Sequence, residues 1–118
     1  MSKDKDLRAY IWDIISAAQS IQRILDGKTF TDFATNEVIR LAVERNIEIM
    51  GEAANRIPLE FQKRHSYIEW RGMIGQRNIL IHNDDEIQYQ RIWITCQREI
   101  PTLIDQLGIL LNELDQEH

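Results

Sequence analysis

Residues 36–57, NEVIRLAVERNIEIMGEAANRI, decide the fold class, because their apolar residues recur at spacings of three and four, as in a helix. Thr35 or Asn36 can cap the start of this helix, and Pro58 disfavours helical geometry at the residue before it. A helix on a protein surface needs only one apolar stripe. This helix carries two rows, and the second row predicts either a deeper core or a partner subunit. The two rows are Val38, Leu41, Ala42, Ile49 and Ala53, and Ile39, Val43, Ile47, Met50, Ala54 and Ile57.

The residues that precede this stretch predict another amphipathic helix. It runs from about Leu7 to Leu25 and should stop at Gly27, because glycine readily adopts the left-handed conformation that follows many helix ends. The stretch from 29 to 36, which carries two phenylalanines, is predicted to be a loop. The apolar face of the helix is expected to contain Leu7, Ile11, Ile14, Ala18, Ile21 and Leu25.

The residues that follow predict shorter helical pieces. Residues 58–64 should form a short helical turn, with Pro58 at its first position. Ser66 and Glu69 have the spacing of a capping box, which predicts the start of a helix that runs towards His82.

A last long helix is expected from about residue 86 to residue 114, with a kink at Pro101, because the apolar row continues past that proline. No linker or internal repeat interrupts the chain. We therefore expect an all-α bundle of four to five helices that forms a single domain over residues 1–118.

The composition limits where such a protein can work. The chain has no run of ~18 apolar residues that could span a membrane, and its first residues are charged, unlike those of a secretory signal. The single cysteine, Cys96, cannot form an internal disulfide and lies in an apolar row typical of a core. We therefore expect a cytoplasmic protein with no membrane contact.

The charge of the chain is unevenly distributed. The net charge of −5 argues against general nucleic-acid binding. Residues 61–82, however, hold four Lys and Arg against one Glu, a local charge of +3. This segment would attract a ligand that carries phosphate, whereas an accidental cluster on a solvated surface is the alternative. The candidate phosphate-binding or RNA-binding residues in it are Lys63, Arg64 and Arg71.

The strongest chemical signal lies between residues 77 and 82. Arg77 lies on an apolar side of its predicted helix, so it needs an acidic partner, a symmetric subunit or a bound phosphate. Asn78 and His82 are four residues apart and share a helix face, so the amide can orient the imidazole. Arg77 and His82 are rotated by about 140° on an ideal helix. The two side chains could converge if His82 lies on a frayed last turn, or a two-fold axis could bring the arginine of one subunit to the histidine of the other.

Arg77, Asn78, three apolar residues and His82 resemble the R-x-x-x-x-H signature of HEPN ribonucleases. Flanking segments resemble the HepT-like branch of that superfamily, and the resemblance covers roughly residues 7–112. These segments are Ile49-Met50-Gly51-Glu52-Ala53, Trp70, Ile92-Trp93 and Ile100-Pro101.

The resemblance implies a homodimeric HEPN-type bundle with a composite site in the dimer cleft. It implies an endoribonuclease toxin that uses no metal or cofactor, paired in a type VII-like toxin–antitoxin system with a minimal nucleotidyltransferase. Arg77 and His82 would be catalytic and Asn78 supporting. His82 would act as general acid or base in the attack of a ribose 2′-hydroxyl, and Arg77 would stabilise the phosphoryl charge. RNA is the expected substrate, with tRNA and mRNA both open as targets.

One position departs from the family pattern. HepT-like toxins carry a tyrosine two residues after the histidine, which the partner enzyme modifies with AMP, but this chain has Asp84 there. An alternative reading is therefore an inactive subunit that binds a minimal nucleotidyltransferase. A dimeric helical scaffold with an incidental basic segment is a third reading. The alternative role for Arg77 is a structural ion pair with Glu48 or Glu52, and His82 could instead be a plain helix-end residue that Asn78 satisfies. His65 lies in a polar loop and is expected to be solvated.

Overall fold

The computed structural model describes residues 3–75 and 86–116, with side chains from residue 6 to 75 and from 88 to 116. These ranges contain helices and no strand, so the all-α prediction is confirmed. Residues 70–75 are also helical. The helices are α1 (Lys3–Leu25), α2 (Phe30–Thr35), α3 (Glu37–Arg56), α4 (Leu59–Arg64) and α5 (Glu86–Gln116).

The core forms where α1 packs against α3 and α5, with α2 resting on the same two helices. No polar or charged residue among those described is buried, so the core is held by apolar contacts alone. Its most deeply buried side chains are Ile11, Ile14, Ile21, Phe33, Val43, Ile57, Ile92, Leu107 and Leu110.

The two apolar rows of α3 have different surroundings. The row from Ile39 to Ile57 lies in the core or packs against it. In the other row, which we call the outer row, Val38 is 77% exposed and Leu41 is 56% exposed, whereas Ala53 lies in the core and Ile49 packs against it. The first part of the outer row is therefore the part of α3 that a partner subunit could cover, and the dimer remains a prediction.

The segment after α1 departs from the sequence prediction. Gly27 ends the helix with a φ of 71°, as expected. Residues 30–35, however, form α2 rather than a loop. Thr29 caps this helix: its hydroxyl accepts from the backbone N–H of Asp32, and the Asp32 carboxylate accepts from the backbone N–H of Thr29. The prediction was wrong because the reciprocal acid is aspartate, whereas the usual capping box has Glu or Gln.

The helix predicted to start after Ser66 begins four residues later. Residues 65–69 form a turn, and the helical segment starts at Trp70. The Trp70 indole N–H donates to the His65 carbonyl at 3.1 Å, and the backbone N–H of Ile68 donates to the same oxygen. These contacts hold the turn open against the local capping signal. The short helix before it was predicted correctly, with Pro58 directly preceding α4.

The last helix forms as predicted, from Glu86 to Gln116 with Pro101 inside it, and the kink at this proline remains a prediction. Its predicted apolar row lies in the core or packs against it. None of the helices in the described ranges has the length and apolar character that a bilayer crossing requires.

Candidate functional site

The catalytic motif predicted from the sequence lies outside the described residues. Arg77, Asn78, His82 and Asp84 all fall between residues 76 and 85. The pairing of Arg77 with His82 and the supporting role of Asn78 therefore remain predictions. The described part of the chain includes the residues that directly precede this motif in the sequence, up to Gly75.

The three predicted phosphate-binding residues lie in two helical segments that follow one another in the chain. Lys63 and Arg64 occupy the last turn of α4, and Arg71 lies in the helical segment that follows the turn. All three are exposed. We call residues 59–75 the basic corner.

The cations of the basic corner have different surroundings. Lys63 and Arg71 line one concave surface of about 300 Å³, which Glu69 and Trp70 also line. The Arg64 guanidinium instead lies 5.7 Å from the centre of the Phe61 ring. Lys63 and Arg71 therefore face the same concavity, where Glu69 offsets part of their charge, and their binding of a phosphate backbone remains a prediction.

Side-chain hydrogen bonds fix α4 against the end of α3. The Gln62 amide donates to the carbonyls of Ala54 and Ile57, at 3.3 and 2.9 Å. These carbonyls at a helix end need donors, and Gln62 supplies them. Because α4 is held in this way, its cations project from a defined position.

A column of aromatic rings supports the turn of the basic corner. The ring centres of Phe61 and His65 are 4.4 Å apart, and those of Phe61 and Trp70 are 6.3 Å apart. Tyr67 meets His65 edge to face at 5.9 Å, with its hydroxyl 3.4 Å from His65 Nδ1. The expectation that His65 is simply solvated is wrong, because its ring is half-buried in this column.

A second concavity, which we call the cleft, opens between α3, residues 67–73 and α5. It has a volume of about 520 Å³. Tyr67 and Glu69 stand on one rim, and Arg98 and Glu99 of α5 stand on the other. Its apolar lining comprises Ile47, Met50, Met73, Cys96, Ile100 and Leu103.

Cys96 was predicted to be a core residue, and it is buried at the bottom of the cleft. Desolvation by burial raises the pKa of its thiol to about 12. At neutral pH the group is a neutral thiol, so it is a poor nucleophile and a poor metal ligand.

The acidic residues of α3 do not form a metal site within the described ranges. No group of three or more His, Cys, Asp or Glu side chains in those ranges could hold a metal ion. Glu48, one proposed alternative partner of Arg77, lies 3.4 Å from Arg45 Nη1 in a surface pair. Such exposed pairs contribute little to stability.

The sequence analysis missed both the cleft and the aromatic column. The column had a detectable signal, because aromatic residues at 61, 65, 67 and 70 are unusually dense for a polar segment. The cleft had none, because it is lined by three elements that are far apart in the chain.

Comparisons with known proteins agree on one family. The sequence profile described as "Ribonuclease HepT-like" matches residues 14–109. A protein of Methanocaldococcus jannaschii, named as a candidate RNase, is 33% identical over 110 residues, which cover 93% of this chain and all of that protein. Another candidate RNase, from Caldanaerobacter subterraneus subsp. tengcongensis, is 34% identical over 92% of this chain and 97% of its own length.

A third relative carries a more specific name. A protein of Thermococcus cleftensis, named as a candidate ribonuclease HepT, is 35% identical over 80% of this chain and 86% of its own length. No solved structure matches the chain.

Proposed function

The chain belongs to the HepT-like ribonuclease family of the HEPN superfamily, and from this premise we propose that it is an endoribonuclease with Arg77 and His82 as its catalytic residues. One observation carries the proposal: the family match spans residues 14–109, and these include the Arg-x-x-x-x-His motif. Residues 1–118 then form one HEPN domain, which works in the cytoplasm.

The proposed reaction needs no metal. The ribose 2′-hydroxyl loses its proton and bonds to the adjacent phosphorus, while the bond from phosphorus to the 5′-oxygen of the next nucleotide breaks and that oxygen takes up a proton to leave as a 5′-hydroxyl. The 2′,3′-cyclic phosphate that forms can then be opened by water to a 3′-phosphate. His82 acts as general acid or base, a role worth ~10²–10⁴-fold in rate. Arg77 stabilises the charge that develops on the phosphoryl oxygens, and Asn78 orients His82. Cyclic phosphate or 3′-phosphate ends result.

The basic corner supports RNA as the substrate. Lys63 and Arg71 line one surface, and Arg71 precedes Arg77 by only six residues. A strand whose scissile phosphate reaches the motif can therefore place neighbouring phosphates against these cations. Arg64, whose guanidinium lies near the Phe61 ring, would add to the positive electrostatic potential that attracts the strand.

The site is proposed to be shared between two subunits. The five-residue spacing of Arg77 and His82 separates them on one helix, and the outer row of α3 leaves Val38 and Leu41 exposed. A homodimer would satisfy both features. Light scattering should give twice the mass of the chain, and a monomer would contradict a shared site.

Cleavage of RNA in the presence of a chelator tests the activity. Arg77→Ala and His82→Ala should each lower the rate by about 100-fold or more. Arg23→Ala is the matched control, because Arg23 is exposed and bonds only to Ser20 among its side-chain contacts in the described ranges. Equal rates in all four proteins would reject the assignment.

Mixing the two inactive variants tests the shared site. If Arg77 of one subunit meets His82 of the other, random exchange should restore about a quarter of the wild-type activity. If each site lies within one subunit, mixing should restore none.

In the cell, the enzyme is proposed to be the toxin of a type VII-like toxin–antitoxin pair whose antitoxin is a minimal nucleotidyltransferase. Growth arrest on expression alone, relieved by the partner, is the expected result. Asp84 replaces the tyrosine that such a partner modifies, so neutralisation would use another hydroxyl or binding alone.

Asp84 also favours a second candidate, a catalytically inactive subunit that binds the nucleotidyltransferase as a regulatory or substrate-presenting partner. Co-purification with that enzyme, together with intact RNA and normal growth on expression, would favour this candidate over the ribonuclease.

A further inference from the structure

The cleft beside the basic corner has the features of a site for a flat, partly polar ring. Its floor is apolar, and its volume of about 520 Å³ lies in the range of small-molecule sites. Hydrogen-bonding groups stand at its rim, among them Gln106 and Thr102 of α5. A nucleobase matches this pattern, because its faces are apolar and its edges are polar.

Tyr67 provides the stacking surface at this rim. Its side chain is 53% exposed, yet it is held edge to face against His65, which in turn stacks on the buried Phe61. Its hydroxyl also contacts His65 Nδ1. An exposed aromatic ring that is already oriented can stack on a base with little loss of side-chain entropy.

The charges at the rim indicate that the cleft would hold the base of a nucleotide rather than its phosphate. Glu69 and Glu99 are acidic, whereas Arg98 is the one cation among the described lining residues. A phosphate would be repelled there, but carboxylates accept hydrogen bonds from the exocyclic amino groups of bases. Glu69 also lines the neighbouring concave surface, where Lys63 and Arg71 can take the phosphate.

We propose that the cleft binds one unpaired nucleobase bearing an amino group, next to the strand's phosphate on Lys63 and Arg71. Tyr67 stacks on the base, and Glu69 accepts a hydrogen bond from its amino group. The inference rests on the proposed function, since it makes single-stranded RNA the substrate and adenine, cytosine or guanine the base preferred over uracil.

Binding of short fluorescent oligonucleotides to the His82→Ala protein tests this without cleavage. Oligocytidine should bind more tightly than oligouridine, because the two bases differ at the amino position. Tyr67→Leu in the same background should weaken oligocytidine binding by about tenfold, within the range for loss of one stacked base. Tyr67→Phe should bind as tightly as the parent.

Two further variants complete the test. One tests the hydrogen bond to the base separately from stacking, and the other controls for loss of an exposed aromatic residue outside the cleft. Glu69→Ala should remove the preference for cytosine over uracil, even if its lost charge strengthens the binding of both. Trp12→Leu is the matched control, because Trp12 is an exposed aromatic on α1 and should leave binding unchanged. Thermal melting followed by circular dichroism establishes that each variant is folded.

Three results would overturn the inference. These are equal binding of oligocytidine and oligouridine by the parent, unchanged binding by folded Tyr67→Leu, or a change of oligomeric state in Tyr67→Leu, which would place Tyr67 in a protein interface. Each is distinct from failure of the proposed function, which is absence of cleavage by the wild-type protein.

Discussion

The core and the basic corner are built in different ways. In the core, α3 and α5 pack their apolar rows against α1, with no buried polar residue among those described. In the basic corner, two short helical pieces are held by a few aromatic rings and by single hydrogen bonds, such as that from Trp70 to His65. The core therefore depends on a regular repeat, whereas the corner depends on individual contacts. A surface of this second kind can carry exposed cations without disturbing the fold.

The largest expected effect is a difference in stability between the substitution of a leucine in the core and that of a leucine in the basic corner. Leu107 is fully buried in the core, so Leu107→Ala should lower the free energy of unfolding by about 3 kcal/mol. Leu59 is 68% exposed in the basic corner, and Leu59→Ala should change the free energy of unfolding by less than ~0.5 kcal/mol. Urea denaturation measures both. Similar losses in the two variants would contradict the distinction between the regions.

A smaller effect is expected where the corner depends on one contact. Trp70→Phe removes the indole donor to the His65 carbonyl and leaves a small gap, which should cost about 1–2 kcal/mol. Trp12→Phe is the control, because that side chain is 57% exposed and should have almost no effect. If both substitutions are neutral, the indole hydrogen bond does not hold the turn.

Substitutions at the cap of α2 test whether a single hydrogen bond also contributes to stability beside the core. Thr29→Ala removes the side-chain acceptor for the backbone N–H of Asp32 and should cost about 1 kcal/mol. Thr31→Ala alters an exposed threonine on the same helix and should be nearly neutral. Chemical denaturation distinguishes them, and an equal cost would show that the cap contributes nothing.

The smallest expected effect is one that disappears in acid. Hydrogen bonds from the backbone and side chain of Thr29 lower the pKa of Asp32 below its ordinary value of 3.8. Because the folded-state pKa is lowered, the stabilisation is present above pH 3.8 and is lost as the pH falls through the folded-state pKa. The difference in melting temperature between the wild type and Asp32→Asn should therefore shrink below pH 3.8. A difference that stays constant through that range would exclude the ionised carboxylate as its cause.

The same contrast explains what the sequence could predict. The long helices follow from the spacing of apolar residues, and α3 begins at Glu37 after the Asn36 cap, as expected. The turn at 65–69 could not be predicted, because the Trp70 indole and the Phe61 ring override the local capping signal of Ser66.

The candidate site was predictable in its chemistry and less so in its shape. The charge count placed cations at 63, 64 and 71, and the structure places Lys63 and Arg71 on one surface. The separation of Arg64 from them depends on the position of Phe61, which only tertiary packing sets. Likewise, Tyr67 and Arg98 line the same cleft because α5 returns beside the turn, and no local pattern encodes that return.

The burial of Cys96 protects its thiol from alkylating reagents in the folded chain. With its pKa raised to about 12, the thiol carries almost no reactive thiolate at pH 8. Because Cys96 is the one cysteine of the chain, the rate at which iodoacetamide modifies this residue should report how often the floor beneath the cleft opens. Mass spectrometry can follow the modification of Cys96 and so measure this opening without any engineered label.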